Sequence, residues 1–259
     1  MPYTTIIYAK KDHIGHITLN RPEVDNIINQ QLAQELEEVC CQINQDQNIY
    51  VVIITGAGDR AFCCGGELEQ LIQAGNTAAV SAGARYNAAP AIASVDRPVI
   101  AAINGDALGQ GLELALSCDI RLASDKARFG FPQAALGLIP MDGGTQRLPR
   151  IVGKGKALEL ILTAGTIDAH EAFEIGLVNK LVTQENLASE VEALARTIAS
   201  KGPIAVRYIK EAVNKGLDLT LEQGLHLEAD LYFILHTTAD RTEGIKAFLQ
   251  KRPPQFKGQ

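Results

Sequence analysis

The chain has 259 residues, of which 46% are apolar and 21% are charged, which is the composition of an ordinary globular protein. The net charge of −6 argues against a nucleic-acid partner, which requires concentrated lysine and arginine, but allows an anionic small ligand at a local site. No apolar run approaches the roughly 20 residues that span a bilayer, and the N-terminus resembles no secretory signal, so we expect a cytoplasmic protein without a membrane partner.

The five cysteines fall in two adjacent pairs and a singleton, at Cys40, Cys41, Cys63, Cys64 and Cys118. This spacing matches neither a zinc site nor the disulfide framework of a secreted domain. We therefore expect free thiols in a reducing compartment and no metal site.

The first hundred residues predict alternating strands and helices. Alternating apolar residues indicate a strand over 14–20, and apolar residues every three or four positions indicate a helix over 28–43. A continuous β-branched run over 50–55 is typical of a strand that is buried on both faces. Residues 75–91 are rich in alanine, asparagine and serine and predict a loop and a helix, and a second buried strand follows over 98–103.

The middle of the chain continues this alternation. A glycine-containing turn over 104–109 opens a helix that runs to Leu116, and a third strand is predicted over 120–123. A loop over 129–140 and a helical pattern over 143–162 complete this part. Strands that alternate with helices in this way predict an α/β core.

The C-terminal part of the sequence predicts helices alone. Apolar spacing indicates helices over 203–216, 219–235 and 240–251. The last of these has an Asp-x-x-Glu pattern at its start, Asp240 and Glu243, which predicts a capping box. We therefore divide the chain into an α/β core, 1–200, and a helical region, 201–259.

Two glycine turns, at Gly65-Gly66 and Gly109 to Gly111, each follow a predicted strand and precede a predicted helix. Glycine allows backbone N–H groups to approach a ligand, and a helix N-terminus directs unsatisfied N–H groups outward. Two such donors on one oxygen would stabilise an oxyanion. Taken alone, each turn is more typical of a simple tight connection, and the third glycine of a dinucleotide-binding motif is absent.

Four segments resemble the motifs of a known family. Residues 61–68 (AFCCGGEL) resemble AF-x-A-G-x-D-L, and residues 104–115 (NGDALGQGLELA) with 118–120 (CDI) resemble NG-x-ALGGG-x-ELA…CDI. Residues 131–148 resemble PE…LG-x-x-P-x-x-GGTQRL. The segments occur in the family's order and at its spacing, and the resemblance covers nearly the whole chain. The chain is thereby identified as a member of the crotonase (enoyl-CoA hydratase/isomerase) superfamily.

The resemblance implies the fold and the partners. It implies an α/β protein with a spiral of ββα repeats and a C-terminal α-helical region that joins subunits into trimers, which often pair as hexamers. It also implies an acyl-CoA substrate that carries coenzyme A within it, so that no separate cofactor is expected.

The resemblance also implies a site for the thioester. Its carbonyl oxygen would lie between the backbone N–H groups of Gly66 and Gln110. Coenzyme A contacts would fall on Cys64, Gly66, Glu67, Leu68 and Gln110. The family usually has glycine at position 110, so the Gln110 side chain is a departure that adds bulk beside the oxyanion site.

The two catalytic glutamates of the family's hydratases map onto Glu113 and Gln133. Glu113 lies three residues after Gln110, about one helical turn on, and can face the same cavity. Gln133 donates and accepts hydrogen bonds but transfers no proton at neutral pH. The catalytic set predicted from the sequence is therefore Glu113, Gln133, Gly66 and Gln110, with Glu113 as the acid/base and Gln133 as a positioning group.

The glutamine leaves four interpretations open. In the first, Glu113 carries out both proton transfers while Gln133 positions the water. In the second, the substrate is a conjugated dienoyl-CoA that needs no acid at the α-carbon. In the third, the reaction is isomerisation, decarboxylation or hydrolysis, and in the fourth, a natural glutamate has been replaced by design. Asp142, where the family more often has a small residue, is an auxiliary acid or a solvated loop carboxylate. Our hypothesis is a hydro-lyase acting on an enoyl- or dienoyl-CoA, with a catalytically silent binding protein as the rival from another class.

Overall fold

The computed structural model of the chain describes residues 3–67 and 87–259. Within those residues the chain forms ten strands: β1 (Ile6–Lys11), β2 (Ile14–Leu19), β3 (Val51–Gly56), β4 (Ala61–Cys63), β5 (Val99–Ile103), β6 (Asp106–Leu108), β7 (Ile120–Ser124), β8 (Arg128–Gly130), β9 (Thr166–Asp168) and β10 (Lys180–Val182).

The same residues form ten α-helices, which we number in chain order. They are α1 (Gln30–Gln45), α2 (Ala89–Ala93), α3 (Gln110–Ser117), α4 (Gly144–Val152), α5 (Lys154–Thr163), α6 (Ala169–Glu174), α7 (Leu187–Ala199), α8 (Pro203–Gly216), α9 (Leu221–Leu235) and α10 (Ala239–Leu249). Short 3-10 helices lie at Pro22–Val24, Pro132–Leu136 and Gln184–Asn186.

The strands form a large sheet and a small sheet that share one winding pattern. The large sheet has the order β1-β2-β3-β5-β7-β10, and the small sheet has the order β4-β6-β8-β9. Three successive strand pairs, β3/β4, β5/β6 and β7/β8, each give their first strand to the large sheet and their second to the small one. Helical segments follow, so the chain winds as a spiral of ββα units, as predicted.

Burial explains why these segments take these structures. The apolar residues of α1 at helical spacing, Leu32, Leu36, Val39 and Ile43, are all fully buried. Every residue of β5 is buried, because helices and the second sheet cover both of its faces. The predicted helix over 28–43 and the predicted strands over 50–55 and 98–103 are therefore confirmed within a few residues.

The sequence did not predict the short strands of the small sheet. β4, β6, β8 and β9 have three residues each, too few for a periodic pattern. The expected loop over 129–140 contains the end of β8 and a 3-10 helix, and the helical pattern over 143–162 is two helices that separate at Gly153. Gly153 has φ +80°, which ends α4 and starts α5 in a new direction. Of the predicted segment 75–91, residues 75–86 lie outside the described residues.

The expected capping box at Asp240 and Glu243 was wrong. The Thr238 side chain caps α10 instead, and Asp240 is buried and accepts the backbone N–H groups of residues 257 and 258 at 2.7 Å each. Glu243 pairs with Arg252 at 2.6 Å. Both carboxylates therefore bind the C-terminal tail to the last helix, a long-range contact that short-range spacing does not indicate.

The C-terminal helices carry many exposed apolar side chains. On α8 and α9 these include Ile209, Val213, Leu225 and Phe233, and Phe248 of α10 is 83% exposed. Apolar surface of this extent is typical of a contact face. No helix within the described parts of the chain is long and apolar enough to cross a membrane.

Candidate active site

The small sheet places the predicted site segments along one edge. β4 pairs with β6 and β6 pairs with β8, in both cases in parallel. The carboxyl ends of parallel strands lie along the same edge of a sheet, where α/β proteins bind ligands. Gly66 follows β4, Gln110 follows β6 and Gln133 follows β8, so these three residues lie along that edge.

The backbone at Gly66 is oriented by a single parallel bridge to Ile28. The Ile28 N–H donates to the Gly65 carbonyl oxygen at 2.8 Å, and the Glu67 N–H donates to the Ile28 carbonyl oxygen at 3.1 Å. In a parallel ladder of this register, the residue between the two bonds directs its own N–H and C=O to the opposite side. The Gly66 N–H therefore points away from Ile28.

Helix α3 starts against this turn because two glycines allow a close approach. Gly109 has φ +54°, a conformation that other residues rarely adopt. A Cβ atom on Gly111 would lie 1.9 Å from the Cys63 carbonyl oxygen, so only glycine lets α3 pack against the end of β4. The N–H of Gln110, the first residue of α3, consequently points out of the helix N-terminus at the edge that carries Gly66.

The Gln110 side chain covers the Gly66 turn. A Cβ atom on Gly66 would lie 1.8 Å from Gln110 Oε1, so the amide group occupies the space above Gly66. The departure noted in the sequence therefore narrows the approach to this turn and leaves the helical backbone of α3 intact.

Glu113 lies one turn into α3 and is fully buried. Its Oε1 accepts two backbone hydrogen bonds, from the Asp142 N–H at 2.7 Å and from the Gly144 N–H at 2.8 Å. Its Oε2 is buried and accepts no hydrogen bond from the described residues. The carboxylate is thus fixed through one oxygen, and the other remains able to exchange a proton.

The second donor to Glu113 depends on a glycine. A Cβ atom on Gly144 would lie 2.7 Å from the Phe131 ring and 3.1 Å from Glu113 Oε1. The side chain of any other residue at position 144 would push this backbone away from the carboxylate, so Gly144 is needed for the second hydrogen bond to Glu113.

The environment of Glu113 favours its protonated form. Burial raises the pKa of Glu113 to about 7; the two backbone N–H donors act in the opposite direction, and the neighbouring Asp142 carboxylate raises it further. Burial also raises the pKa of Asp142, to about 6. A carboxyl group with a pKa near neutrality both accepts and returns a proton efficiently at physiological pH.

Gln133 completes the edge without adding a titratable group. Its Oε1 is buried and has no donor among the described residues, and its Nε2 lies 3.4 Å from the position that a Cβ on Gly109 would take. The amide therefore reaches the turn that begins α3, and its oxygen remains an acceptor.

Comparisons with known proteins show the family to which the chain belongs. The sequence pattern of the enoyl-CoA hydratase/isomerase family matches residues 9–259. The chain belongs to that family. It is 41% identical over 257 residues to a crotonyl-CoA hydratase of Syntrophomonas wolfei, covering 99% of both chains. It is 38% identical over 253 residues to a short-chain-enoyl-CoA hydratase of Clostridium acetobutylicum, covering 97% of both.

A solved structure extends the likeness to three dimensions. The crystal structure of an enoyl-CoA hydratase from Bacillus anthracis superposes with a TM-score of 0.95 at 42% identity, covering 99% of this chain and 100% of that one. The predictions of an enoyl-CoA hydratase/isomerase family member and of its fold are therefore confirmed.

Of the remaining site residues predicted from the family motif, Cys64 and Glu67 are described by the structure and lie beside Gly66. Cys64 is partly buried and its N–H donates to the Asp25 carbonyl oxygen at 3.1 Å, and burial raises the pKa of its thiol to about 11. Glu67 forms an ion pair with Arg21 at 2.9 Å, which connects the residue after Gly66 to the segment that follows β2. Leu68 lies outside the described residues.

Sequence reasoning identified Glu113 in this enoyl-CoA hydratase/isomerase family member but missed what holds it. The donors come from the loop over 142–144, and Arg147 donates to the Asp142 carbonyl oxygen at 2.8 Å to fix that loop. The Gly143-Gly144 pair was the signal available in the sequence, since paired glycines mark a close backbone approach.

Proposed function

We propose that this chain is a hydro-lyase that adds water to, or removes it from, an unsaturated acyl-CoA thioester. The observation that carries the proposal is Glu113, which is buried, is held through Oε1 by two backbone N–H groups, and has no donor to Oε2 within residues 3–67 and 87–259. The names of the relatives, crotonyl-CoA hydratase and short-chain-enoyl-CoA hydratase, support a short-chain enoyl-CoA as the substrate class.

The two glycine turns supply the electrostatic part of the mechanism. When water attacks the β-carbon, electrons of the C=C bond move through the α-carbon onto the thioester oxygen. The backbone N–H groups of Gly66 and Gln110 would bind that oxygen, and the N-terminus of α3 adds its positive dipole. Removal of a single donor of this kind typically costs about 10²- to 10³-fold in kcat.

Glu113 supplies the proton transfers. Its Oε2 takes a proton from water as the new C–O bond forms at the β-carbon. The same carboxyl group then gives a proton to the α-carbon as the enolate returns to a thioester. The enzyme ends in its starting state, and the product is the 3-hydroxyacyl-CoA.

Gln133 would position the reacting water. Its Oε1 accepts one hydrogen of that water while Glu113 Oε2 accepts the other, so two buried acceptors orient one nucleophile. Cys64, Glu67 and Leu68 would border the coenzyme A moiety beside the Gly66 turn.

The exposed apolar side chains of α8, α9 and α10 support a homotrimer, alone or paired as a hexamer, built through the C-terminal helices. A cytoplasmic location remains a prediction from the sequence.

Incubation with a panel of linear, branched and conjugated enoyl-CoAs, followed by mass spectrometry, tests the proposal. We expect a mass gain of one water with at least one short-chain trans-2-enoyl-CoA and no gain with Glu113→Ala. A panel that yields no hydrated product, but isomerised, decarboxylated or hydrolysed thioesters, would refute the hydratase proposal. Binding without any turnover would instead identify a silent family member.

A further inference from the structure

Asp142 is the second buried carboxyl group beside Glu113, and only 3% of its surface is exposed. It lies in the loop between the 3-10 helix at Pro132–Leu136 and α4. The mechanism above uses its backbone N–H but leaves its side chain without a role, so its burial requires a separate explanation.

Asp142 forms hydrogen bonds with Glu113 of α3, with the start of α2 and with Arg147 of α4. Its backbone N–H donates to Glu113 Oε1 at 2.7 Å. Its Oδ2 accepts the backbone N–H groups of Ala88 and Ala89, at 2.9 and 3.0 Å, at the start of α2. Arg147 donates to its carbonyl oxygen at 2.8 Å. Asp142 therefore connects the loop that holds Glu113 to the start of α2 and to Arg147 of α4.

The charge of Asp142 also acts on Glu113. Its negative charge disfavours ionisation of Glu113, and the Arg147 guanidinium acts in the opposite direction on both carboxyl groups. The side chains of α2 and of the 3-10 helix at Pro132–Leu136 are uncharged. Among the described residues, Asp142 therefore acts on Glu113 as an anion and Arg147 as a cation.

Asp142 borders a cavity, and one of its oxygens has no donor in the part of the chain that the structure describes. Its Oδ1 is buried and accepts no hydrogen bond from the described residues. The cavity has a volume of about 810 Å³. Besides Asp142, its charged lining residues are Asp119, Arg121, Arg147, Arg150, Lys210 and Asp218. These groups line the same cavity as Asp142, and of them Arg147 acts directly on its carboxyl group.

We propose that Asp142 is a positioning residue for Glu113: its backbone fixes one oxygen of Glu113, and its negative carboxylate keeps on Glu113 the proton that the α-carbon must receive. This inference rests on the proposed function. With glutamine at position 133, Glu113 must both accept and return the proton, so a neighbouring charge that favours its protonated form supplies what a second glutamate otherwise would.

Asp142→Asn removes the negative charge of the side chain and keeps its size and shape, so it tests the effect of the charge alone. The asparagine oxygen can still accept the N–H groups of Ala88 and Ala89, so we expect a folded protein. Loss of the negative charge should lower the midpoint of the acidic limb of kcat/KM by about one pH unit, because Glu113 then loses its proton more readily. The matched control is Asp218→Asn, an aspartate that lines the same cavity and is 72% exposed; its profile should match the wild type.

Asp142→Ala and a titration without turnover complete the experiment. The alanine variant removes the acceptor as well, so kcat should fall further than in the asparagine variant. Infrared titration of the protonated carboxyl band, assigned with Glu113→Gln, should show the same one-unit shift. An unchanged Glu113 midpoint in folded Asp142→Asn would overturn the inference. If the wild type hydrates no thioester, the proposed function fails, while the infrared titration still tests the effect of Asp142.

Discussion

At the scale of single residues, the burial of Glu113 has opposite effects on folding stability and on proton transfer. Burial raises its pKa from 4.5 to about 7. Between these two values the folded state binds more protons than the unfolded state, so folding stability falls as pH rises through this range and stays at the lower level above it. Burial of Glu113 thus suits proton transfer but lowers the free energy of unfolding at neutral and alkaline pH.

Glu113→Gln should therefore separate the two properties. The glutamine oxygen can accept the same two backbone hydrogen bonds, so at pH 8 we expect the free energy of unfolding to rise by about 2 to 3 kcal/mol, and this gain to vanish below about pH 4.5. Hydration should fall by about 10²-fold or more. Denaturant unfolding at both pH values and a hydration assay measure these effects. An equal loss of stability at both pH values would contradict the assignment of the raised pKa.

Gln133→Glu tests whether a second carboxyl group still fits the site. A carboxyl group at this position could give the α-carbon its proton, so we expect kcat for enoyl-CoA hydration to rise by about tenfold or more. Gln133→Ala is the control: it removes the acceptor for water and should lower kcat. A Gln133→Glu variant that is slower than the wild type would show that this geometry requires the amide.

The sequence indicated Glu113 and the two glycine turns because each lies within a short contiguous motif. It did not indicate the donors to Glu113, since residues 142–144 lie about thirty positions away and only the fold brings them together. The same limit explains the capping error at Asp240, whose partners are the backbone groups of residues 257 and 258. Long-range hydrogen bonds leave no local pattern.

At the scale of elements, the site depends on how closely α3 approaches β4. A Cβ atom added to Gly111 would lie only 1.9 Å from the Cys63 carbonyl oxygen. Of the two N–H donors proposed for the oxyanion site, Gln110 begins α3 and Gly66 follows β4. A change in the separation of α3 and β4 should therefore act on the chemistry, although Gly111 itself is buried.

Gly111→Ala should move α3 away from β4. We expect a loss of about 1 to 3 kcal/mol in the free energy of unfolding, as for overpacked cores, together with a lower kcat. Gly155→Ala in α5 is the control, because nothing lies within 4 Å of the added Cβ; it should stabilise the protein by about 0.4 to 1 kcal/mol and leave kcat unchanged. Thermal unfolding and steady-state kinetics measure both. Equal behaviour of the two variants would refute the packing argument.

At the scale of the whole molecule, the spiral core and the C-terminal helices differ in what they expose. The core buries most of its apolar side chains, whereas α8, α9 and α10 expose many of theirs. The motifs predicted the family and hence this fold, although the boundary at residue 200 between core and helical region stays a prediction. The helices themselves were predictable because their long apolar spacing repeats over several turns.

Leu221→Asp should weaken the proposed subunit contact. Leu221 begins α9 and is 80% exposed, so a charge there costs little in an isolated subunit but is unfavourable in an apolar interface. We expect sedimentation velocity to show a trimer or hexamer for the wild type and a smaller species for Leu221→Asp. Leu162→Asp on α5, where the leucine is 70% exposed, is the control and should not change the assembly. A monomeric wild type would refute the proposed assembly.

The central claim is that Glu113 alone takes the proton from water and returns one to the α-carbon. Because one carboxyl group lies on one face of the substrate, both new bonds should form on that face. Hydration of a trans-2-enoyl-CoA in D₂O, with analysis of the product by NMR, measures this directly. The account predicts a single deuterium at the α-carbon, in syn relation to the new hydroxyl. Anti addition, or a mixture of both stereoisomers, would show that a second group delivers the proton and would contradict the account.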